Sequence, residues 1–163
     1  MKKTLILMIT ILSLACFAQN KEEKAKEHPK TKAAYLVNVN IDFAFKDKEG
    51  NDLLDSANDK HYAYKDIALC YEVKGKKIKI DKPRMDHPND QFMYKDEETK
   101  TYHLRVFLER EVLFLQLNAT TTDTIKCIIK KEKGSTKIEK VWYNGKLEWE
   151  LGKSKSQVIT ITK

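Results

Sequence analysis

Thiols and imidazoles are the side chains of this chain best suited to nucleophilic chemistry. The sequence contains three cysteines and four histidines. A cysteine nucleophile needs a base within hydrogen-bonding reach, and no histidine stands at a spacing that pairs it with Cys70 or Cys127. The sequence also lacks a glycine-rich phosphate loop and a nucleophile elbow. We therefore predict no catalytic residues and no cofactor, and we expect that the chain is not an enzyme.

Acidic residues suggest a second kind of chemistry. Segment 47–52 reads DKEGND and resembles the first half of a calcium loop. An EF-hand loop needs glycine at its sixth position and a bidentate glutamate at its twelfth, and Asp52 and Asn58 stand there instead. An ordinary polar turn is therefore favoured over a metal site. Two alternatives stay open: a calcium-stabilised adhesion module, and a small secreted hydrolase with two carboxylates brought together by folding.

Large aromatic side chains concentrate near residue 145. Trp142, Tyr143 and Trp149 are of the kind that forms a sugar-stacking platform on β-sandwich modules. Packing in the core is the competing explanation, and it is favoured because both tryptophans fall on the apolar face of the strands predicted below. If the chain binds a partner, the sequence leaves open whether that partner is a protein or a glycan.

The elements that carry these residues show a period of two, which is typical of strands with one buried face. In segment 35–45 every second residue is apolar: Tyr35, Val37, Val39, Ile41, Phe43 and Phe45. Segments 66–73, 102–108 and 125–129 alternate in the same way. Segment 112–117 is apolar at nearly every position, which predicts a central strand covered on both sides.

An Asn-Gly pair is the strongest turn signal. Asn144-Gly145 has the residue types that tolerate the positive φ angles of a two-residue type I′ turn. Such a turn places Trp142 opposite Leu147, and Lys140 opposite Trp149. One apolar face of the hairpin is then expected to lie in the core: Ile138, Trp142, Leu147, Trp149 and Leu151.

These elements amount to about nine short strands and no convincing helix after the leader. The fold predicted is all-β, an antiparallel β-sandwich over residues 34–163, with an immunoglobulin-like arrangement preferred and a closed barrel as the weaker option. The chain has 163 residues, of which 34% are charged and 41% hydrophobic, as expected for one globular domain.

The N-terminus has the three parts of a signal sequence. Lys2 and Lys3 precede the apolar run Leu5–Leu14, and small residues follow as far as Ala18. The run is too short to span a bilayer. We therefore predict that residues 1–18 are a signal peptide and that the chain is exported to the periplasm or attached to the outer membrane or cell surface.

Two ways of processing the leader stay open. Cleavage after Ala18 would release a free domain, whereas Ser13–Cys16 is a degenerate lipobox that would leave a lipid on Cys16. Such a lipid would be the only membrane attachment expected. Residues 19–33 are dense in charge and are predicted to form a disordered polar tether.

Charge and cysteine content limit the partners and the covalent links. The formal net charge is +7, but the 31 basic and 24 acidic residues are interleaved along the chain. A nucleic-acid binder would gather its basic residues on one face with aromatics among them, so no nucleic-acid partner is expected. An oxidising compartment permits a disulfide between Cys70 and Cys127. The strand pattern favours separate thiols, and the pairing stays open.

Three segments also carry a family resemblance: KEGNDLL at 48–54, DTIKC at 123–127 and VWYNGKL at 141–147. They resemble a group of small exported proteins of unknown function from Bacteroidota, which have a signal or lipoprotein leader and one β-rich domain. The resemblance covers residues 34–163. It implies a location in the envelope of a Gram-negative cell and brings no catalytic residue with it. The leader departs from the group because many members have a cleaner lipobox than Ser13–Cys16.

Overall fold

A computed structural model describes residues 36–163, and its elements are eleven strands and one short 3₁₀ turn. The predicted signal peptide with Cys16 and the predicted tether lie outside the described residues. The strands are β1 (Leu36–Asn38), β2 (Asn40–Lys46), β3 (Ala68–Val73), β4 (Lys76–Lys79), β5 (Gln91–Lys95), β6 (Tyr102–Phe107), β7 (Val112–Gln116), β8 (Thr122–Glu132), β9 (Ser135–Tyr143), β10 (Lys146–Glu150) and β11 (Val158–Thr162), with the 3₁₀ turn at Tyr64–Asp66.

The strands form two sheets that share one hydrophobic core. A seven-stranded sheet has the order β1-β9-β8-β7-β3-β4, with β10 also paired to β9, and a four-stranded sheet has the order β11-β2-β6-β5. The inward side chains of both sheets are buried in a single cluster, which includes Ile41, Phe43, Phe45, Leu104, Val106, Leu113, Leu115, Ile125 and Val141. The predicted all-β sandwich is therefore confirmed. The described residues include no helix of the length and hydropathy that crossing a membrane requires.

Each sheet contains one parallel pair, which the prediction of a purely antiparallel sandwich did not include. β1 runs parallel to β9, and β11 runs parallel to β2. The alternating run 35–45 is not one strand, because the chain changes sheets at Val39. Leu36–Asn38 joins the seven-stranded sheet, while Asn40–Lys46 joins the four-stranded one. Strands that switch sheets in this way close the corners of a sandwich.

Strand β5 had no counterpart in the sequence prediction. Its inward residues are Gln91 and Met93, and its outward residues are Phe92 and Tyr94. The aromatic side chains thus lie on the outer side, so the pattern does not look like a strand with an apolar inner face. Adding β5 and splitting segment 35–45 turns the nine predicted strands into eleven.

The β9–β10 hairpin confirms the predicted turn but not the predicted core face. Asn144 and Gly145 have φ angles of 48° and 83°, and Leu147 lies opposite Trp142. A bulge between Leu147 and Trp149 then shifts the register, so that Trp149 pairs with Val141 instead of Lys140. A bulge moves the following side chains to the other face. Trp149 is therefore buried in the core, while Trp142 and Leu147 point outward.

A second bulge explains why Ile138 and Val141 are both buried although they are three residues apart. The β8–β9 register shifts between Ile128 and Ile129, so that Ile129 pairs with Ile138 and Ile128 pairs with Lys140. The prediction that Ile138, Trp142, Leu147, Trp149 and Leu151 share one core face is therefore wrong. Leu147 and Leu151 are each 44% exposed.

The prediction that segment 112–117 is covered on both sides is also wrong. Its inward residues Leu113 and Leu115 are fully buried. Its outward residues are not covered, because Val112 is 43% exposed and Phe114 is half-buried. The outer side of the seven-stranded sheet is therefore open and carries apolar side chains.

Candidate functional site

The open side of the seven-stranded sheet places four side chains in one row across four strands. Leu147 of β10 lies opposite Trp142 of β9, Trp142 lies opposite Lys126 of β8, and Lys126 lies opposite Val112 of β7. Paired residues of neighbouring strands point to the same side, with Cβ atoms about 5 Å apart. The β8–β9 register places Trp142 in this row, and the hairpin bulge moves Trp149, which follows it, to the core side.

Residues two positions along the same strands extend the row into a patch. Ile128 follows Lys126 on β8, and Phe114 follows Val112 on β7, so both point to the same outer side. Ile128 is 41% exposed. We call this set the Trp142 face; its members are Val112, Phe114, Lys126, Ile128, Trp142 and Leu147. Adjacent exposed apolar side chains of this kind mark interaction sites more often than isolated ones do.

Lysines and one glutamate are the charged groups on this side of the sheet, since Glu72 of β3 lies opposite Lys77 and points outward. The Lys77 ammonium lies 4.5 Å from the centre of the Phe114 ring. Lys126 is exposed, and neither lysine forms an ion pair with any residue in the described range 36–163. Three other lysines on this side are neutralised: Glu132 binds Lys130 and Lys137, and Glu150 binds Lys140. The Trp142 face therefore presents apolar surface around an unneutralised positive charge.

The thiols near this sheet are buried and unreactive. Both cysteines are free. Cys127 faces the core and donates a hydrogen bond from Sγ to the Arg110 carbonyl at 3.1 Å, whereas Cys70 lies on the opposite side of the sheet, paired with Phe114. Burial raises the pKa of the Cys127 thiol to about 11 and also raises the pKa of Cys70. The thiolate is the nucleophile, so neither group is activated for catalysis.

The structure does not bring the predicted aromatic platform together. Trp142 is half-buried on the outer face, but Tyr143 and Trp149 are only 4% and 5% exposed and belong to the core. The Trp149 indole donates to the Ser156 carbonyl at 2.7 Å. Core packing, the favoured explanation in the sequence, therefore holds for Tyr143 and Trp149. Trp142 has other companions on its face: Val112, Phe114, Ile128 and Leu147.

Tyr143 is part of a polar cluster around Asp123. Its hydroxyl donates to the Asp123 carboxylate at 2.6 Å, the Asn144 amide donates at 2.6 Å, and Lys163 forms an ion pair with the same group. Burial disfavours the charged carboxylate, but these three partners outweigh it and lower the pKa of Asp123. Burial and the neighbouring carboxylate raise the pKa of Tyr143. The cluster connects β8 and the β9–β10 turn to the end of β11.

The acidic segment 47–52 forms the polar turn that the sequence favours. The Asp47 carboxylate accepts hydrogen bonds from the amides of Glu49 and Asn51 and from the Asn51 side chain, at 2.8–3.0 Å. Asp52 accepts from the amides of Leu54 and Tyr102. The carboxylates are thus engaged with their own backbone. No group of three or more potential metal-ligating side chains occurs in the part of the chain that the structure describes.

Asp47 in this turn lacks the raised pKa of a general acid. The hydrogen bond from the Asn51 side chain, with those from the backbone amides, lowers the pKa of Asp47. A carboxyl that donates a proton near neutral pH needs a raised pKa. The hydrolase alternative therefore gains no support at this turn.

The outer side of the four-stranded sheet is organised differently. Asp42 of β2 is 3% exposed and accepts two hydrogen bonds from the Arg105 guanidinium, both at 2.7 Å. The Tyr94 hydroxyl donates to the same carboxylate at 2.9 Å. These bonds raise the pKa of Arg105, and burial followed by the Asp42 contact raises the pKa of Tyr94. We call this surface the Arg105 face; it comprises Asp42, His87, Phe92, Tyr94, His103, Arg105 and Phe107.

Aromatic rings cover the remainder of the Arg105 face. The His87 imidazole stacks on Phe92 with 4.3 Å between ring centres and lies 5.4 Å from the centre of Phe107. The Arg105 guanidinium lies 5.7 Å from the centre of Phe92. The polar and aromatic groups on this side thus satisfy one another.

Comparison with known proteins assigns no family to this chain. A scan against family models finds no match, and searches of curated proteins and of solved structures find no significant match. The assignment of function therefore depends on the chemistry of the two outer faces.

Sequence reasoning identified Trp142 and missed its companions. The sequence does contain a signal for outward apolar residues, because Ile128 and Ile129 are adjacent apolar residues in a strand that otherwise alternates apolar and polar residues. Segment 112–117 departs from this alternation in the same way. We interpreted it as coverage on both sides, whereas the structure leaves the outer apolar side chains in contact with solvent.

Proposed function

We propose that this chain is an exported, non-catalytic binding module that holds a glycan or protein partner on the Trp142 face. One observation carries the proposal: Lys126 lies among the exposed side chains of Val112 and Ile128 and the half-buried ring of Trp142, and it forms no ion pair with any residue in the range 36–163. Covering solvent-exposed apolar surface with a partner lowers the free energy of the system. The reactive groups required for covalent catalysis are not part of this face.

The leader supports a site of action outside the cytoplasm. Residues 1–18 have the composition of a signal peptide, and the charged residues 19–33 would separate the domain from the point of processing. We propose the periplasm, or attachment to the outer membrane or cell surface, as the location. Lipidation at Cys16 would hold the binding face near a membrane, and cleavage after Ala18 would release it.

Intact mass tests the location. The protein is expressed in a Gram-negative host and purified separately from the membrane and soluble fractions. A membrane-bound mass that begins at Cys16 and includes acyl groups supports anchoring, and a soluble mass that begins at Gln19 supports a free domain. A mass that begins at Met1 in the cytoplasm contradicts export.

A glycan array tests the binding proposal. The mature chain is compared with Trp142→Ala, and Phe92→Ala on the Arg105 face is the matched control. We expect wild type and Phe92→Ala to retain the same glycans, and we expect Trp142→Ala to lose them. Retention by all three proteins, or by none, contradicts glycan binding at this face.

A further inference from the structure

We propose that the ligand of the Trp142 face is an anionic polysaccharide, whose sugar units carry carboxylate or sulfate groups. This inference rests on the proposed function, because it names the ligand of the same face. It adds the sign of the ligand's charge and the shape of the ligand, both of which follow from the arrangement of the residues.

The size of the face indicates a narrow ligand. The row from Leu147 to Val112 crosses three inter-strand steps, about 14 Å in all. Along the strands the patch covers about four residues, or roughly 13 Å. Its flat extent is on the order of 200 Å², whereas a stable protein interface needs about 800 Å² from each partner. A single polymer chain matches this area, whereas a stable protein interface would have to extend well beyond the face.

The position of Lys126 indicates a negatively charged ligand. Trp142 and Val112 flank this lysine across the strands, and Ile128 flanks it along β8. Its ammonium therefore lies at the centre of an apolar patch, with no acidic side chain to neutralise it among the described residues. An anionic group in the ligand would supply an ion-pair partner for this exposed ammonium.

The same position argues against a lipid bilayer as the ligand. Surfaces that lie on membranes place apolar side chains at the centre and lysines around the rim. The Trp142 face differs because, besides Lys77 and Lys79 at its edge, it has Lys126 at its centre between Trp142 and Val112. Pressing this face into acyl chains would desolvate the ammonium without a partner, which is unfavourable. In an anionic polysaccharide the acidic group is attached to the sugar ring. The ring can therefore contact the apolar side chains while the acidic group contacts Lys126.

Cationic side chains extend the face toward the edge of the sheet. Lys79 of β4 lies opposite Cys70, which lies opposite Phe114, and Lys77 covers the Phe114 ring. Both lysines are exposed. A polyanion crossing the strands would meet Lys126 first and then Lys77 and Lys79, which lie beside Glu72 on the same side of the sheet. The rings of Trp142 and Phe114 offer flat apolar surfaces for the C–H faces of its sugars.

The test uses pairs of polymers that differ in charge. Polygalacturonate is compared with its fully methyl-esterified form, and dextran sulfate is compared with dextran. Affinity electrophoresis measures retardation of the full mature chain by each polymer. We expect the chain to bind the charged member of at least one pair and neither neutral member. Binding should weaken several-fold when NaCl rises from about 50 to 300 mM, because salt screens the exposed lysines.

Four variants separate this face from general attraction to a basic protein. We expect Trp142→Ala to weaken binding about tenfold and Lys126→Gln to weaken it at least about threefold. Phe92→Ala and Lys48→Gln are matched controls, since they remove an aromatic ring from the Arg105 face and one charge from an exposed turn. Both should bind like wild type. Leu147→Gln provides a second test at an exposed position if Trp142→Ala does not fold.

Each contrary result has its own meaning. Equal losses for Lys48→Gln and Lys126→Gln, with no effect of Trp142→Ala, would show non-specific attraction and overturn the inference. Trp142-dependent binding to the neutral polymers would overturn the charge assignment and leave the proposed function standing. Trp142-dependent binding to phosphatidylglycerol vesicles, without polymer binding, would overturn the polysaccharide assignment. Failure to bind any of the four polymers overturns the inference, and the glycan array then decides the proposed function separately.

Discussion

The two outer faces of this sandwich use similar residue types in opposite ways. On the Arg105 face the charged groups Asp42 and Arg105 are paired at 2.7 Å, and stacked rings surround them. On the Trp142 face the central charge, Lys126, is unpaired among the described residues, and its apolar neighbours are exposed. Satisfied polar groups contribute to the stability of the fold. Unsatisfied groups remain available to a ligand.

The comparison shows that aromatic content alone does not identify a binding surface. The Arg105 face has more aromatic rings, but His87, Phe92 and Phe107 pack on one another. The Trp142 face has fewer rings, and three of its apolar side chains are more than 40% exposed: Val112, Ile128 and Leu147. The Trp142 face also differs because its central charge, Lys126, forms no ion pair within the described part of the chain.

The largest expected effect comes from the two tryptophans, because one belongs to the core and the other to a face. Trp149→Ala should lower the free energy of unfolding by about 3–5 kcal/mol, since it leaves a cavity in the core. Trp142→Ala should lower it by about 1 kcal/mol or less. Urea denaturation of both variants measures the difference. Equal losses would show that Trp142 serves as a core residue, which removes the distinction between the faces.

The next effect concerns the two charges. Asp42→Ala should destabilise the fold by about 2–3 kcal/mol, because it leaves the Arg105 guanidinium without its carboxylate. This is below the value for a fully buried pair, since 33% of the Arg105 side chain is exposed.

Lys126→Ala on the other face provides the comparison, and it should change the free energy of unfolding by less than about 0.5 kcal/mol. Asp42→Asn is the conservative control and should cost less than Asp42→Ala. If Asp42→Ala left the free energy of unfolding unchanged, the Arg105 network would add nothing to stability.

Acidification should remove the contribution of buried Asp123 to the free energy of unfolding, and it should not involve Lys126 on the Trp142 face. The pKa of Asp123 is lowered in the folded chain, so its contribution to stability is complete above the unfolded pKa of about 4. That contribution is lost as the pH falls through the lower folded pKa. Asp123→Asn should therefore flatten the loss of stability below about pH 4, whereas Lys126→Gln should follow wild type. Urea midpoints measured from pH 6 to pH 2.5 test this, and identical profiles for all three proteins would contradict it.

The smallest effect is expected for Leu147→Gln, which replaces an exposed apolar residue by a polar one. Leu147 is 44% exposed, so the free energy of unfolding should change by less than about 0.5 kcal/mol. Binding to the ligand should nevertheless weaken. Thermal melting together with affinity electrophoresis separates these two outcomes. A large fall in the melting temperature would assign Leu147 to the core.

The sequence predicted most of the fold because alternation and turn chemistry are local. The apolar alternation of segment 35–45 and the Asn144-Gly145 turn were sufficient to predict strands and one register. The change of sheet at Val39 could not be predicted, because it depends on pairing with distant strands. β5 was missed because Phe92 and Tyr94 face outward, where Arg105 and His87 cover them.

The candidate site was harder to predict for a single physical reason. The bulge between Leu147 and Trp149 changes which residues face outward, and no residue type in the hairpin signals it. Without the bulge both tryptophans would lie on one face, as the sequence suggested. Lys126 likewise looked like an ordinary solvent-exposed lysine until its cross-strand neighbours were known.

Fluorescence of single-tryptophan variants tests the central claim most directly, since the chain has two tryptophans. Trp149→Phe leaves Trp142 as the reporter, and Trp142→Phe leaves Trp149. Both are titrated with polygalacturonate or dextran sulfate, whichever binds the wild type. We predict that the emission of Trp149→Phe changes in a saturable manner and that the emission of Trp142→Phe stays constant. A saturable change that follows Trp149, or emission that stays constant in both variants while the polymer binds, would contradict the claim that the Trp142 face is the binding surface.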